Sequence, residues 1–294
     1  MNAERCRWLT LVCLMLSTAH AGDFNKRSAT LSVQGDGNDN RQWLGKVALP
    51  LGEHAWAQGS VGRSDLAAAG ANDSKIVGAT FGAGGKDISA AVEFVQRKGN
   101  ARFEQQTWNA TLDWHGIRGG LGADVSIRSA NSMSATTTQT GGVFATPVTT
   151  TVRESADGKG FGAHGDLALT TRVIVSAGVM RYRYDFDVES STGTNTPLGS
   201  LLGTNVATPG AWRDQAFVDR TYRVGATYLL QGAAMSAQYF RDRIANSDAN
   251  FNTFELQAEI RVADHWALSP TVGYSQGGAL GNVAFGGMSL RFDW

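Results

Sequence analysis

The 294-residue chain is almost without cysteine, and its two, Cys6 and Cys13, both fall within the first 21 residues. Beyond that point no disulfide, thiolate metal site or cysteine nucleophile can form. Proline and histidine are also scarce, with 5 of each. Net charge is absent, because 26 Lys and Arg balance 26 Asp and Glu. A balanced chain has no basic field to hold nucleic acid. Long apolar runs are missing too: after residue 22 none approaches the roughly 20 residues that a membrane-spanning helix needs.

The start of the chain has its own pattern. Arg5 and Arg7 precede an apolar stretch from Trp8 to Leu16, followed by Ala19-His20-Ala21. A basic start, a short apolar core and an A-x-A site predict a secretory signal peptide over residues 1–21, cut after Ala21. Removing 21 residues from 294 leaves 273, enough for a single domain over 22–294.

Along that domain apolar and polar side chains alternate. Phe254, Leu256, Ala258, Ile260 and Val262 share one face, and Glu255, Gln257, Glu259 and Arg261 the other. Tyr222, Val224, Ala226, Tyr228 and Leu230 alternate with Arg223, Gly225 and Thr227, and Trp108, Ala110, Leu112 and Trp114 with Asn109, Thr111 and Asp113. A period of two sustained this often is a strand signal. It is obligatory where one face of every strand meets hydrocarbon and the other a polar lumen, and the 36 glycines and mean hydropathy of −0.19 suit that arrangement.

Short connections alternate with looser ones. Tight segments fall at Leu49–His54, Gly84–Asp87, Asp113–Gly116, Leu169–Arg172, Leu230–Gly232 and Ala263–Trp266. Between them lie longer segments, the largest near 130–158 and 189–219. Short periplasmic turns and longer external loops then join about 14 strands (range about 12–16), an even number that sets both termini in the periplasm. The fold class is all-β: a closed antiparallel transmembrane β-barrel. Trp56, Trp114 and Trp266 fall at the short-turn ends, where an interface girdle of aromatics is expected. Pro270 interrupts a convincing strand and predicts a bulge or an irregular end.

The final residues read Met288-Ser289-Leu290-Arg291-Phe292-Asp293-Trp294. Their alternation and terminal aromatic resemble the C-terminal strand signal of Gram-negative outer-membrane proteins. The resemblance to outer-membrane β-barrels (porin-like, with no subfamily motif) implies residence in the bacterial outer membrane, among lipids that include lipopolysaccharide. It also implies handling by periplasmic chaperones and the barrel-assembly machinery, with Leu290, Phe292 and Trp294 as the assembly signal.

Two literal motifs carry no chemistry. Gly160-Phe161-Gly162-Ala163-His164-Gly165 matches the dinucleotide string G-x-G-x-x-G but opens a strand instead of a helix. Asp36-Gly37-Asn38-Asp39-Asn40 begins like a calcium loop, yet its sixth position is Arg41 and its twelfth Val47, so it reads as a hairpin connection. No cofactor or metal site is expected. His164 and Asp166 share a face, which raises a hydrolase; folding the hairpin about Thr171 sets His164 opposite Val179, with no serine or second carboxylate placed beside it. No enzyme is expected.

Luminal charge is the remaining constellation. The strand from Val173 to Asp187 changes phase, with Val173, Val175 and Val179 on odd positions and Met180, Tyr182, Tyr184 and Phe186 on even ones. An arginine facing lipid at the midplane costs about 2–4 kcal/mol, so Arg181 and Arg183 are assigned inward with Arg223. Asp242, Glu255 and Glu259 point inward from the next two strands, Asp242 and Glu255 roughly opposite each other. A basic wall beside an acidic wall predicts a pore for ions and small hydrophilic solutes, working as a monomer. The alternatives are a plugged barrel acting in surface interaction or adhesion through its long loops, and a dedicated export channel.

Overall fold

The computed structural model describes residues 27–37, 39–65, 73–99, 103–138, 148–190, 217–245, 250–277 and 282–294. The expected signal peptide, residues 1–21, lies outside them. Fourteen strands follow one another: β1 (Ser28–Asp36), β2 (Arg41–Pro50), β3 (Ala55–Asp65), β4 (Ser74–Gly84), β5 (Ile88–Gly99), β6 (Glu104–His115) and β7 (Gly119–Thr138). Then come β8 (Val148–Ala168), β9 (Val173–Ser190), β10 (Val218–Leu230), β11 (Ala233–Ile244), β12 (Asn250–Ala263), β13 (Trp266–Gly277) and β14 (Asn282–Asp293). Neighbours in sequence are neighbours in the antiparallel sheet. The sheet closes because β1 pairs with β14, from Ser28 opposite Asp293 to Asp36 opposite Phe285, and lies against β2. Both termini therefore sit at one end. Six connections of two to four residues share that end; one is the two-residue turn Gln231-Gly232, where Gly232 takes a φ of 78°.

The outer wall explains the alternation. In β9 the outward residues run Val173, Val175, Ala177, Val179 and then Arg181, while Tyr182 is buried on the opposite face. In β12 they run Val262, Ile260, Ala258, Leu256, Phe254 and then Asn252; in β5, Ile88, Ala90, Val92, Phe94 and then Gln96. Four or five apolar outward residues span seven to nine strand positions, which at about 3.3 Å each and a tilt near 40° is roughly 18–23 Å. Phe81, Phe161 and Leu121 on this belt are more than 60% exposed. A continuous apolar belt around a whole molecule is untenable in water and matches a bilayer core.

Glycine shapes the inner wall. Gly158 and Gly160 of β8 face Tyr184 and Tyr182 of β9, and a Cβ on either glycine would lie 2.3 and 2.4 Å from those rings. Gly162 likewise faces Met180, Gly82 faces Trp56, and Gly273 faces Phe285. Each large side chain lies flat over the bare backbone of the next strand, which lets a barrel wall carry bulk without filling its lumen from the centre. Gly160 and Gly162 are two of the three glycines of the apparent dinucleotide string, and this packing is their use.

Several expectations are corrected. The segment 130–158 is mostly ladder: β7 and β8 stay paired from Gly119–Leu167 to Thr138–Val148. Most of 189–219 lies outside the described residues. Pro270 causes no register shift; the ladder to β12 omits Pro270 and Ser269 but resumes in phase, and the bulge sits at Arg261–Ala263. Asp36 holds its turn by accepting from the Asn40 N–H at 3.2 Å and from Asn40 Nδ2 at 3.1 Å, so its carboxylate serves the connection.

Gly160→Ala should overpack this wall and destabilise the barrel by about 1–3 kcal/mol. Tyr182→Ala combined with it should recover part of that loss in urea unfolding followed by tryptophan fluorescence. Additive losses would show that the ring and the glycine are not coupled.

Candidate functional site in the lumen

One interior row crosses five strands: Asp113 of β6, Gly122 of β7, His164 of β8, Gly178 of β9 and Arg223 of β10. The two glycines make it a site. A Cβ at Gly122 would lie 2.3 Å from His164 Nε2 and 2.4 Å from Asp113 Oδ1, so only glycine lets those groups meet across β7. On the other side Arg223 reaches over Gly178, its Nη2 3.4 Å from where a Cβ would stand. Asp113 Oδ1 is 2.8 Å from His164 Nε2, and Asp124 Oδ2 is 2.8 Å from His164 Nδ1. Thr111 donates to the other oxygen of Asp124 at 3.2 Å.

Both imidazole nitrogens face carboxylate oxygens, so both are placed to donate. No ring lone pair is then left to take a proton from water or from a hydroxyl, and the imidazole is not poised as a general base. Two carboxylates flank the imidazole, and the Arg223 guanidinium stands in the same row across Gly178. The next row is polar too: Asn109 donates to Glu93 at 2.9 Å and accepts from Ser126 at 2.7 Å. The arrangement is a hydrogen-bonded lining along β5–β8.

Burial is heavier toward the loop end, although Ser89, Ala267 and Thr271 are buried nearer the short turns. Toward the loop end Gln34, Gln42, Leu44, Ile76, Gln105, Asp242, Phe251 and Thr253 are all nearly inaccessible. There Tyr184 and Phe186 pack on Phe217, with ring centroids 5.3 and 5.5 Å apart, and against Ala130, Ala156 and Ala245. Tyr184 donates to the Val218 carbonyl at 3.2 Å, and Arg128 sits 4.3 Å above the Tyr182 ring. Toward the end that carries the termini, Lys46, Gln58, Asn109, Glu255 and Gln257 remain partly exposed. A recess of about 260 Å³ opens there beside Glu259, Arg261 and Arg291.

The residues singled out from sequence are only partly brought together. Arg181 and Arg183 face outward, which overturns their assignment to the lumen: β9 keeps one phase throughout, and Tyr182, Tyr184 and Phe186 take the interior. Lipid desolvation is avoided by height, since both arginines stand beyond the last apolar outward residue, Val179. Arg223 does face inward. Asp242 faces inward but is fully buried and accepts from Thr221 at 2.6 Å. It lies opposite Phe251, and Glu255 opposite Gln238, so the two acids do not confront each other. Glu259 pairs with Arg291 at 2.9 Å.

Trp114 and Trp266 face outward at the turn end, but Trp56 faces inward over Gly82, which removes it from the girdle. Leu290, Phe292 and Trp294 share the outer face. Phe292 packs between Trp266 and Trp294, with ring centroids at 4.7 and 5.7 Å. Asp113 and Asp124 were missed as partners of His164. The signal lay in two hairpin registers taken together: the β6–β7 turn sets 113 opposite 122, and β7–β8 sets 122 opposite 164.

If the cluster is as described, nitrogen-15 NMR of the folded barrel at neutral pH should show both His164 ring nitrogens protonated. A neutral tautomer would contradict it. His164→Ala should cost about 2–4 kcal/mol in urea unfolding, because it leaves two carboxylates together without their cation. Gly122→Ala should shift the His164 resonances as well as lower stability.

No protein-family model matches the chain, and no curated protein matches it. Among solved structures it is similar to the CymD monoaromatic hydrocarbon channel, at 9% identity over 91% of this chain and 87% of that one, with a TM-score of 0.54. It is also similar to outer-membrane expressed OmpT of Vibrio cholerae, at 12% identity over 92% and 96% with a TM-score of 0.45. The translocator domain of autotransporter NalP from Neisseria meningitidis matches at 13% identity over 91% and 86%, with a TM-score of 0.43. The closed sheet of 14 antiparallel strands and the lipid-facing belt give the chain the fold of the Gram-negative outer-membrane β-barrels, and place it in the bacterial outer membrane.

Proposed function

We propose that this barrel is a narrow outer-membrane pore for ions and small hydrophilic solutes, working as a monomer with its termini and short turns in the periplasm. The carrying observation is the inner wall. It is polar from Glu93, Asn109 and Ser126 through Asp113, Asp124 and His164 to Glu259 and Arg291. Charged and polar groups such as Lys46, Asn109 and Glu255 are partly exposed on the half nearer the termini, which suits an inner wall that water reaches. Selectivity should be weak. The basic wall loses Arg181 and Arg183 to the outer face, and Glu259, Asp113 and Asp124 each have a cationic partner within the wall.

A second reading has its own support. The near-complete burial of many interior side chains toward the loop end, on strands all around the barrel, is what a closed lumen would show. In that reading the molecule acts at the surface through the long β7–β8 hairpin and the connections beside it.

Planar-bilayer recording separates the two. A pore gives single-channel steps, and folded protein that stays silent favours the closed barrel. In a conducting pore, Glu255→Gln with Glu259→Gln should move the reversal potential toward anion preference. Arg181→Gln with Arg183→Gln should leave it unchanged. The shift should shrink in concentrated salt, since the Debye length falls from about 10 Å at 0.1 M to about 3 Å at 1 M.

A further inference from the structure

We propose that Arg261, with Glu259 and Arg291 beside it, forms a binding site for small zwitterionic solutes at the end of the lumen that carries the termini. The solute's carboxylate meets Arg261 and its ammonium meets Glu259. As a step in permeation the site rests on the pore reading; its binding is measured without conduction. Register and small side chains build the place. Arg261 of β12 lies opposite Ala267 of β13, and Ala267 opposite Arg291 of β14, so two arginines flank an alanine that is only 5% exposed. Gly232, Ala234 and Ala267 leave the recess of about 260 Å³ open beside Glu259, Arg261 and Arg291. The bulge at Arg261–Ala263 ends the regular ladder of β12 here, and bulges re-aim the side chains next to them.

Charge singles out Arg261. Arg291 is claimed by two carboxylates, Glu259 at 2.9 Å and Asp293 at 3.2 Å. Among the described residues the other inward-facing lysines and arginines of the strands are also engaged. Arg128 lies over the Tyr182 ring, and Lys46, Arg97 and Arg223 each interact within the wall. Within that set only the Arg261 side chain has no hydrogen bond or ion pair, although its backbone N–H donates to the Gly232 carbonyl at 2.9 Å.

The recess is therefore dipolar. Glu259, Arg291 and Asp293 together carry a net negative charge, and Arg261 sets a positive charge next to them. Arg261 and Glu259 project from one face of β12 two residues apart, about 7 Å between Cα atoms. A simple anion gains from Arg261 but meets two carboxylates, and a simple cation gains from Glu259 but meets Arg261. A solute carrying both charges a few bonds apart satisfies both sides, with its carboxylate held by the guanidinium fork in bidentate fashion. Arg261 is exposed, so water and salt screen the attraction and the solute can leave again, as passage requires.

The test uses the folded barrel in nonionic detergent and ligand-observed saturation-transfer NMR. The probes are L-alanine, propionate, which lacks the ammonium, and ethylammonium, which lacks the carboxylate. L-Alanine should bind at least about fivefold tighter than either. Arg261→Gln, which breaks no side-chain contact, should weaken L-alanine about tenfold. Glu259→Gln should weaken L-alanine about fivefold yet strengthen propionate, because it removes a repelling carboxylate and releases Arg291. The outward Arg183→Gln should bind as the unaltered protein does. Heat-modifiable migration confirms folding, and Arg261→Gln carries the test if the Glu259 variant does not fold. In planar bilayers L-alanine added on the side of the termini should interrupt single-channel current, and Arg261→Gln should abolish the interruptions. A silent barrel that keeps these solute preferences loses the pore reading and retains the site. Propionate or ethylammonium binding as tightly as L-alanine, or unchanged affinity in Arg261→Gln, would each overturn the proposal.

Discussion

Everything in this molecule depends on closing the backbone ladder where no water can complete it. In hydrocarbon an unpaired N–H or C=O costs several kcal/mol, so a sheet can span only if its first and last strands meet. Here β1 meets β14 across nine residue pairs. Once closed, every strand has one face toward lipid and one toward the lumen, and alternation becomes compulsory through the depth of the belt. The neutral net charge, modest hydropathy and absence of long apolar runs all follow, since only half of each spanning segment has to be apolar.

Closure also creates a problem inside. The inner wall carries bulky groups such as Tyr182, Tyr184, Met180, Phe285 and Trp56, and a wall of ordinary residues would push each of them toward the axis. Bare glycine backbone on the adjacent strand gives each a bed to lie on. The same device assembles the polar site, because Gly122 lets Asp113 and His164 touch over a strand that separates them. Glycine therefore does for the charged cluster what it does for the aromatic one: it converts strand-to-strand neighbours into contacts across a missing side chain.

Strand number, the six short turns and the outward faces were legible because period two is loud wherever the outside is lipid. Two things were not, for related reasons. Folding the β8–β9 hairpin with His164 opposite Val179, instead of its true partner Gly178, is a slip of one residue. Together with the apparent change of phase in β9, it accompanied the assignment of Arg181 and Arg183 to the lumen, and a one-residue shift exchanges the faces of a strand. The even positions of β9 looked like a lipid-facing run because Tyr182, Tyr184 and Phe186 are apolar, yet they fill the interior. Aromatic character alone does not say which face is wet. The extension of β7 and β8 was hidden differently: beyond Ile127 the outward residues are Ser129 and Asn131, since above the belt nothing requires them to be apolar. The ladder continues while its sequence signal fades.

That extension has a consequence for the shape of the surface. β6 pairs with β7 only as far as Asn131, and β10 pairs with β9 only as far as Arg181, whereas β8 stays paired with both beyond those points. A three-stranded ribbon therefore rises from one sector of the wall, and among the described residues its outer edges are no longer matched by neighbours in the barrel sheet. From Ile127 to Thr138 the rise is about 3.3 Å per residue, or roughly 25 Å above the membrane after allowing for tilt. Free sheet edges invite pairing with other chains, and proteins blunt them with charge and poor apolar content. The ribbon edges here are Ser-, Thr- and Ala-rich on β7 and carry Arg183, Asp185 and Asp187 on β9. The outward charges that stand clear of lipid at the foot of the ribbon thus also sit where an edge has to stay solvated, so height above the belt, more than sign, decides where this barrel can carry charge on its outside.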